Sequence, residues 1–429
     1  MVKNIIKKIT PSFLISYYHF CLSFLAAVFY GFPSRSIRVI GITGTNGKST
    51  TADLTSLILK EAGYKVALLS SLKFQIKERE EPNSLRMTMP GRFFIQKFLR
   101  QAVAEGCQYV VLEVTSEGIK QFRHKFIDFE AAVLTNLTPE HIEAHGGFEN
   151  YKKAKGKLFS AAENIHIVNL DDSNADYFLN FPAKARYLYK FKNEDSKFET
   201  TAQNSKTIKA ERVEAGASGV AFTVDDVLFS LNLIGAFNVY NALAAICVGI
   251  SQNISLAVCK KALGKAEGVP GRMELVVSEP FQVFVDYAFT PNALEKVYQT
   301  LVLRLANPQI NKLICVLGSC GGGRDKWKRP VLGKLAGEYC REVIVTNEDP
   351  YDENPMEIIN QVAQGVGQKA KKTLDRGQAI REALALARPN DIVVITGKGS
   401  EPSIYLAGGK QMPWDDRQVV REGVALKKT

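Results

Sequence analysis

A chain of 429 residues, 46% hydrophobic and 23% charged, has material for two or three domains with large cores, which excludes a disordered or fibrous protein. Its formal net charge of +11 favours anionic partners such as nucleotides, phosphorylated substrates or an anionic membrane face; the cations are scattered, so no nucleic-acid stripe emerges and none is expected as a partner. The seven cysteines form no CxxC pair and no metal-finger spacing, which fits a reduced, cytoplasmic chain.

Lys3, Lys7 and Lys8 precede an apolar run from Phe13 to Phe32. About twenty apolar residues can span a bilayer, but basic residues ahead of the run would leave the remainder of the chain outside. Within about ten residues that remainder reaches a glycine-rich Gly-Lys-Ser segment, Gly47–Ser49, of the kind that cradles phosphates in the cytosol, and no small-residue cleavage site precedes it. We expect residues 13–32 to form a helix on the inner membrane face or packed on the protein, with a true span as the alternative.

Ile37–Thr43 reads as a strand and Ser49–Ala62 as a helix, joined by a glycine-rich turn within Gly41–Thr50 (GITGTNGKST). Such a turn leaves backbone N–H groups unpaired, so Gly44, Thr45, Asn46, Gly47, Lys48, Ser49 and Thr50 are expected to cradle the phosphates of a nucleoside triphosphate. The Ser49 hydroxyl suits Mg²⁺. The spacing departs from the strict phosphate-loop pattern, because Gly41 stands one residue too far back.

Further strands are expected at Lys65–Ser70, Tyr109–Val114, Ala131–Leu137 and Ile165–Asn169, with helices at Gly91–Glu105 and Phe148–Ala162. This alternation indicates a mostly parallel sheet with helices on both faces. Tyr187–Phe191, Ser205–Val213, Gly219–Thr223 and Val227–Leu233 read as antiparallel strands, followed by helices Asn238–Ser251 and Ser255–Lys265. The turn cluster Gly268–Gly271 is a candidate hinge. Strands Val283–Asp286, Lys312–Gly318, Glu342–Thr346 and Asp391–Thr396 then alternate with helices starting near Pro291, Arg329, Pro355 and Gly377. We expect an apolar segment 1–35, a nucleotide-binding α/β domain 36–270 with a small antiparallel sheet, and a Rossmann-like α/β domain 271–429.

Glu113 closes an apolar strand at the end where α/β sheets form their ligand crevice, and so is a candidate Mg²⁺ ligand. His141 follows the next expected strand beside the same crevice. Lys155 lies among four lysines in six positions, a pattern that by itself reads as a wet helical face.

Taken in order, GITGTNGKST, VLEVTSEGIKQFR, LTPEHIEAHG, YKKAKGKLF, GAFNVYNALAA, GVPGRME, VDYAFTPNAL, GSCGGGRDKWKRP, TNEDPYDENP and TGKGSE resemble the Mur ligase family, closest to its tripeptide-synthesising branch. The resemblance covers about residues 36–410. It implies an ATP- and Mg²⁺-dependent ligase of peptidoglycan precursor synthesis that activates a carboxylate as an acyl phosphate and joins it to an amino acid. The acceptor would be a UDP-muramoyl-peptide-type molecule, and we expect a monomer. The resemblance implies that Lys48 and Ser49 bind the terminal phosphates and Mg²⁺, that Glu113 and His141 serve a second metal site, and that Lys155 is carbamylated into a Mg²⁺ ligand. It assigns Asn238, Asn241, Arg272, Asp286 and Arg324 to ATP, and Thr88, Thr115, Gln121 and Arg123 to the acceptor. Glu348, Asp349, Tyr351, Gly397 and Glu401 would line the amino-acid site.

Four departures stand out. The family's N-terminal uridine-binding domain is missing ahead of the loop. Phe289 replaces the histidine of DYAHTP. Tyr351 replaces the arginine of DNPR that reads a distal carboxylate, which together with Glu348 and Asp349 favours lysine or a similar diamine over diaminopimelate. Ser400 replaces the histidine of GKGHE. The rival readings are a folylpolyglutamate- or cyanophycin-type ligase and a membrane-associated phosphate-loop switch.

Overall fold

The computed structural model describes residues 11–83, 85, 87–191, 204–216, 218–305 and 312–428; Lys3, Lys7 and Lys8 lie outside them. The expected α/β class holds. Nine strands build the larger sheet: β1 (Arg38–Thr43), β2 (Val66–Leu69), β3 (Lys73–Ile76), β4 (Arg79–Pro82), β5 (Tyr109–Glu113), β6 (Phe129–Leu134), β7 (Ile165–Asn169), β8 (Ala185–Lys190) and β9 (Ser205–Lys209). Their order is β4-β3-β2-β5-β1-β6-β7-β8-β9, parallel except for the β2-β3-β4 meander.

Strand alternation sorts the apolar side chains. Ile40, Ile42 and Val111 pack with helices α2 (Lys48–Glu61), α8 (Phe237–Ser251) and α9 (Leu256–Gly264). Val39, Val110 and Leu112 pack on the other face with α3 (Arg92–Ala104) and α6 (Phe148–Phe159). The short helices α4 (Ser116–Lys120), α5 (Ile142–His145) and α7 (Ala175–Leu179) follow strands of this sheet. A small antiparallel sheet, β10 (Glu211–Ala215), β11 (Val220–Val224) and β12 (Val227–Leu231), closes the α8 side.

One expectation needs correcting. The alternation in Tyr187–Phe191 and Ser205–Val213 predicts antiparallel strands beside the small sheet. Instead β8 and β9 extend the large sheet in parallel, and the second segment splits at Ala210 into β9 and β10. Leu188, Tyr189 and Ile208 are buried in the cores of the large sheet, and that burial sets the pairing direction, which alternation alone does not encode.

The run at 13–32 forms α1 (Ser12–Phe29). It packs on the turn after α4: Ser23 donates its hydroxyl to the Phe122 carbonyl (3.0 Å), and Phe20 and Phe24 meet the Phe126 ring at 5.3 and 5.4 Å. No described helix is long and apolar enough to cross a membrane.

Beyond Gly271 a second sheet is built from β13 (Glu274–Val277), β14 (Gln282–Asp286), β15 (Leu313–Leu317), β16 (Glu342–Thr346), β17 (Ala370–Thr373) and β18 (Ile392–Thr396), in the order β13-β14-β18-β15-β16-β17. Only β13 runs antiparallel. Helices α10 (Pro291–Leu305), α11 (Lys328–Tyr339) and α12 (Pro355–Val366) cover one face, and α13 (Arg376–Leu386) and α14 (Asp416–Lys428) the other.

Candidate functional site

The carboxyl ends of β5, β1 and β6 lie side by side and face one crevice. Between β1 and α2 the chain needs glycine: Gly44 has φ 151° and Gly47 φ 81°, and a Cβ on either would strike Thr135 or Asn241. Lys48 folds its ammonium back onto the carbonyls of Gly44 (3.1 Å) and Thr45 (2.9 Å). The loop is braced from β6: the Asn46 N–H donates to Asn136 (3.0 Å), its carbonyl accepts from Thr135 (2.7 Å), and Thr45 Oγ1 accepts the Thr138 N–H (3.0 Å). Thr50 is buried in the first turn of α2. Asn238 and Asn241 join at 2.9 Å behind the loop, where Thr51 donates to Asn241 (3.3 Å).

Ser49 and Glu113 are linked through a residue that patterning does not single out. Ser71 Oγ lies 2.7 Å from Ser49 Oγ, and the Ser71 N–H donates to the fully buried Glu113 carboxylate (2.9 Å). The one local signal is a serine pair, Ser70-Ser71, at the carboxyl end of an apolar strand.

Lys155 is only 2% exposed. Its ammonium donates to the Gly44 carbonyl (2.7 Å), sits 4.8 Å from the Tyr151 ring centroid, and pairs with no carboxylate among the described residues. Burial pushes its pKa well below the ordinary lysine value, and Lys48 adds to the shift. His141 has φ 56°; burial, then the nearby Arg324, lower its pKa to about 3. Its imidazole is therefore neutral and able to ligate a cation. No ready-made group of three or more acidic, cysteine or histidine ligands occurs among the described residues. The donor set nonetheless fits Mg²⁺ if the unpaired Lys155 amine is converted to a carboxylate.

The second sheet supplies the opposite wall. Thr290 Oγ1 lies 3.5 Å from Asn46 Oδ1, and the Arg272 guanidinium sits over the Tyr287 ring at 4.1 Å. Asp286 spends both carboxylate oxygens on the N–H groups of Met273 and Ala288 (2.6 Å each), so in this arrangement it fixes the backbone around Arg272. Arg324 is exposed. Next to it, Asp325 accepts the N–H groups of Ile142 (3.1 Å) and Glu143 (3.0 Å) and so caps α5, the helix that begins at His141. Lys328 and Glu140, both buried, pair at 2.9 Å; burial pushes the Glu140 carboxyl up against the pull of Lys328.

Glu348, Asp349, Tyr351, Gly397 and Glu401 come together on this wall. Asp349 is neutralised by Lys398 (2.9 Å to each oxygen), which also holds Glu401 (2.5 Å). Glu348 is buried; the Cys320 thiol donates to Oε1 (2.8 Å) while Oε2 has no partner. A Cβ on Gly397 would strike that oxygen. Tyr351 stacks on Tyr405 at 5.1 Å. Sequence patterning does not single out Cys320, Lys398 or Tyr405, because each reaches the site across strands distant in sequence.

Of the residues expected to hold the acceptor, Thr115 caps α4 through the Gly118 N–H (3.1 Å). Arg123 donates to Gln121 Oε1 (2.7 Å) and to the Met89 carbonyl, next to Thr88. Arg92 donates to the Gln121 carbonyl (3.2 Å) and lies 2.9 Å from His19 Nδ1 of α1.

Comparison with known proteins gives a consistent picture. Residues 42–249 match the model described as Mur ligase middle domain, and 271–399 that described as Mur ligase, glutamate ligase domain. The chain is 39% identical to a UDP-N-acetylmuramyl-tripeptide synthetase of Roseiflexus sp., covering 94% of this chain and 81% of that protein. It is 37% identical to a UDP-N-acetylmuramoyl-L-alanyl-D-glutamate–2,6-diaminopimelate ligase of Syntrophomonas wolfei, with the same coverage. A solved structure of a ligase with that same name superposes with TM-score 0.58 at 29% identity, covering 92% of this chain and 79% of that one.

Proposed function

The chain belongs to the Mur ligase family, and on that footing we propose that it joins an amino acid to a muramoyl-peptide acceptor by an amide bond at the expense of ATP, with the parts divided as 1–35, 36–270 and 271–429. The observation that carries the reading is the convergence of Lys48, the Ser49–Ser71–Glu113 chain, His141 and the unpaired, buried Lys155 on one loop.

The reading assigns to the loop N–H groups and Lys48 the grip on the β- and γ-phosphates. The acceptor carboxylate attacks the γ-phosphorus and ADP leaves, giving an acyl phosphate. Lys48, Arg272 and Arg324 neutralise the charge that builds on the phosphoryl oxygens. The amino group then attacks the acyl carbon, and phosphate leaves with the bonding pair. The walls of the two sheets exclude the water that would hydrolyse this intermediate. Burial makes the Lys155 proton easier to lose; the free amine would add to CO₂, forming a C–N bond and losing a proton, and so become a carboxylate. Mg²⁺ would be held beside the terminal phosphates by Ser49, and at a second site by Glu113, His141 and that carbamate, where it would supply Lewis-acid stabilisation of the phosphates.

Glu348, buried with one carboxylate oxygen unpaired, and Tyr351, stacked on Tyr405 in place of an arginine, support an amino acid with a cationic side chain and no distal carboxylate, such as lysine. The names of relatives favour a second reading, diaminopimelate. Tyr351→Arg, which adds a bidentate carboxylate reader, should raise diaminopimelate use over lysine by about tenfold; an unchanged ratio removes position 351 as the determinant. The activity itself is tested by phosphate release from ATP with muramoyl acceptors and an amino-acid panel. No acceptor-dependent release with any pair would overturn it.

A further inference from the structure

Beside the acceptor residues the molecule keeps an apolar helix face bare. α1 contains no Asp, Glu, Lys or Arg. Ser23, Ala26 and Ala27 are buried on its inner side, while Phe13, Tyr17, Leu25, Val28 and Phe29 stand open on the other, Phe29 being 74% exposed. The segments on which α1 packs expose Lys97, Arg100 and Lys125, and Lys3, Lys7 and Lys8 precede it in sequence. An uncharged, aromatic-rich helix with cations beside it offers apolar side chains to acyl chains and positive charge to anionic headgroups.

The polar contacts of the same helix turn inward, to the Phe122 carbonyl and to Arg92, which neighbours Arg123. His19 meets Arg92, and Arg92 and Arg123 share Gln121. Among the described residues neither guanidinium pairs with a carboxylate, and the Nε of each is buried without a partner. Two adjacent guanidinium groups, with Glu117 acting on Arg123 only from beyond ion-pair distance, suit a phosphodiester or diphosphate. Resting on the ligase reading above, we infer that the acceptor is a lipid-linked muramoyl peptide. Its diphosphate lies against Arg92 and Arg123, and its polyprenyl chain runs along α1 into the membrane.

The test gives the full-length protein two acceptors with the same muramoyl peptide, one carried on UDP and one on a short, water-soluble prenyl diphosphate. A soluble chain separates acceptor recognition from mere adsorption to a bilayer. We expect kcat/KM for the prenyl acceptor to exceed that for the UDP acceptor by at least about tenfold. The Phe13→Ser/Tyr17→Ser variant, altered only at exposed positions, should lose most of that ratio, and Arg92→Gln should raise KM for the prenyl acceptor. An equal or higher kcat/KM with the UDP acceptor overturns the inference and leaves the ligase reading standing. Turnover of neither acceptor overturns both.

Discussion

Two ammonium groups, on Lys48 and Lys155, share the carbonyl of Gly44. Such crowding is tolerable if one of them is neutral, and the more buried Lys155 is the one whose proton is easier to lose. Lys155→Ala should lower kcat by at least about a thousandfold, on the scale of losing an electrostatic stabiliser. Lys155→Arg, which cannot be carbamylated, should not rescue it. Wild-type activity should fall in CO₂-depleted buffer and return with bicarbonate; activity that ignores both would rule out the carbamate. Two buried histidines contribute to the acid sensitivity of the fold. Burial holds His124 and His141 at about 3 against an ordinary 6.5, and neither ring nitrogen of His124 has a partner. Between those values the unfolded chain binds more protons than the native one, so their contribution is complete above about pH 6.5 and is lost as pH falls toward 3. Urea midpoints at neutral pH and about two units lower should therefore differ, and His124→Phe should shrink the difference.

At the level of elements, α5 is the joint on which His141, the proposed metal ligand, depends. It is a single turn whose N-terminus is capped by Asp325, a residue from beyond the hinge. Asp325→Ala should cost about 1 kcal/mol locally and lower kcat about tenfold by loosening His141. Asp325→Asn, which keeps an acceptor oxygen, should recover part of it; equal kcat in wild type and Asp325→Ala would show that the cap does not position His141. This joint also marks how far the sequence can be read. Contiguous apolar strands such as Ile165–Asn169 and Glu342–Thr346 are visible in the sequence at their observed bounds, because burial on both faces leaves a local imprint. The β8–β9 pairing is not, since alternation carries no direction. Ser71, Glu140 and Asp325 are also invisible, because each acts through a partner remote in sequence. Lys155 is identifiable only by resemblance: its neighbours are lysines on a wet face, and what separates it is burial that arises only once α6 is packed.

Across the whole molecule, the contacts between the two halves include a buried ion pair, Lys328–Glu140, in which Glu140 Oε2 has no further partner. Removing one member leaves a buried charge uncompensated. Lys328→Met or Glu140→Leu alone should destabilise by about 3–5 kcal/mol, and the double variant by clearly less than their sum. Additive urea-unfolding losses would mean that the pair is not coupled. Between the sheets, the turn at Gly271 (φ 67°) runs directly against the backbone of Gly399 and Ser400, in the loop that carries Glu401. In mechanical terms the pivot and its load share one bearing surface, with no side chain between them. If the chain turns at Gly271, that motion must slide along Gly399 and Ser400, and a single methyl group at position 271 would strike their backbone and jam it.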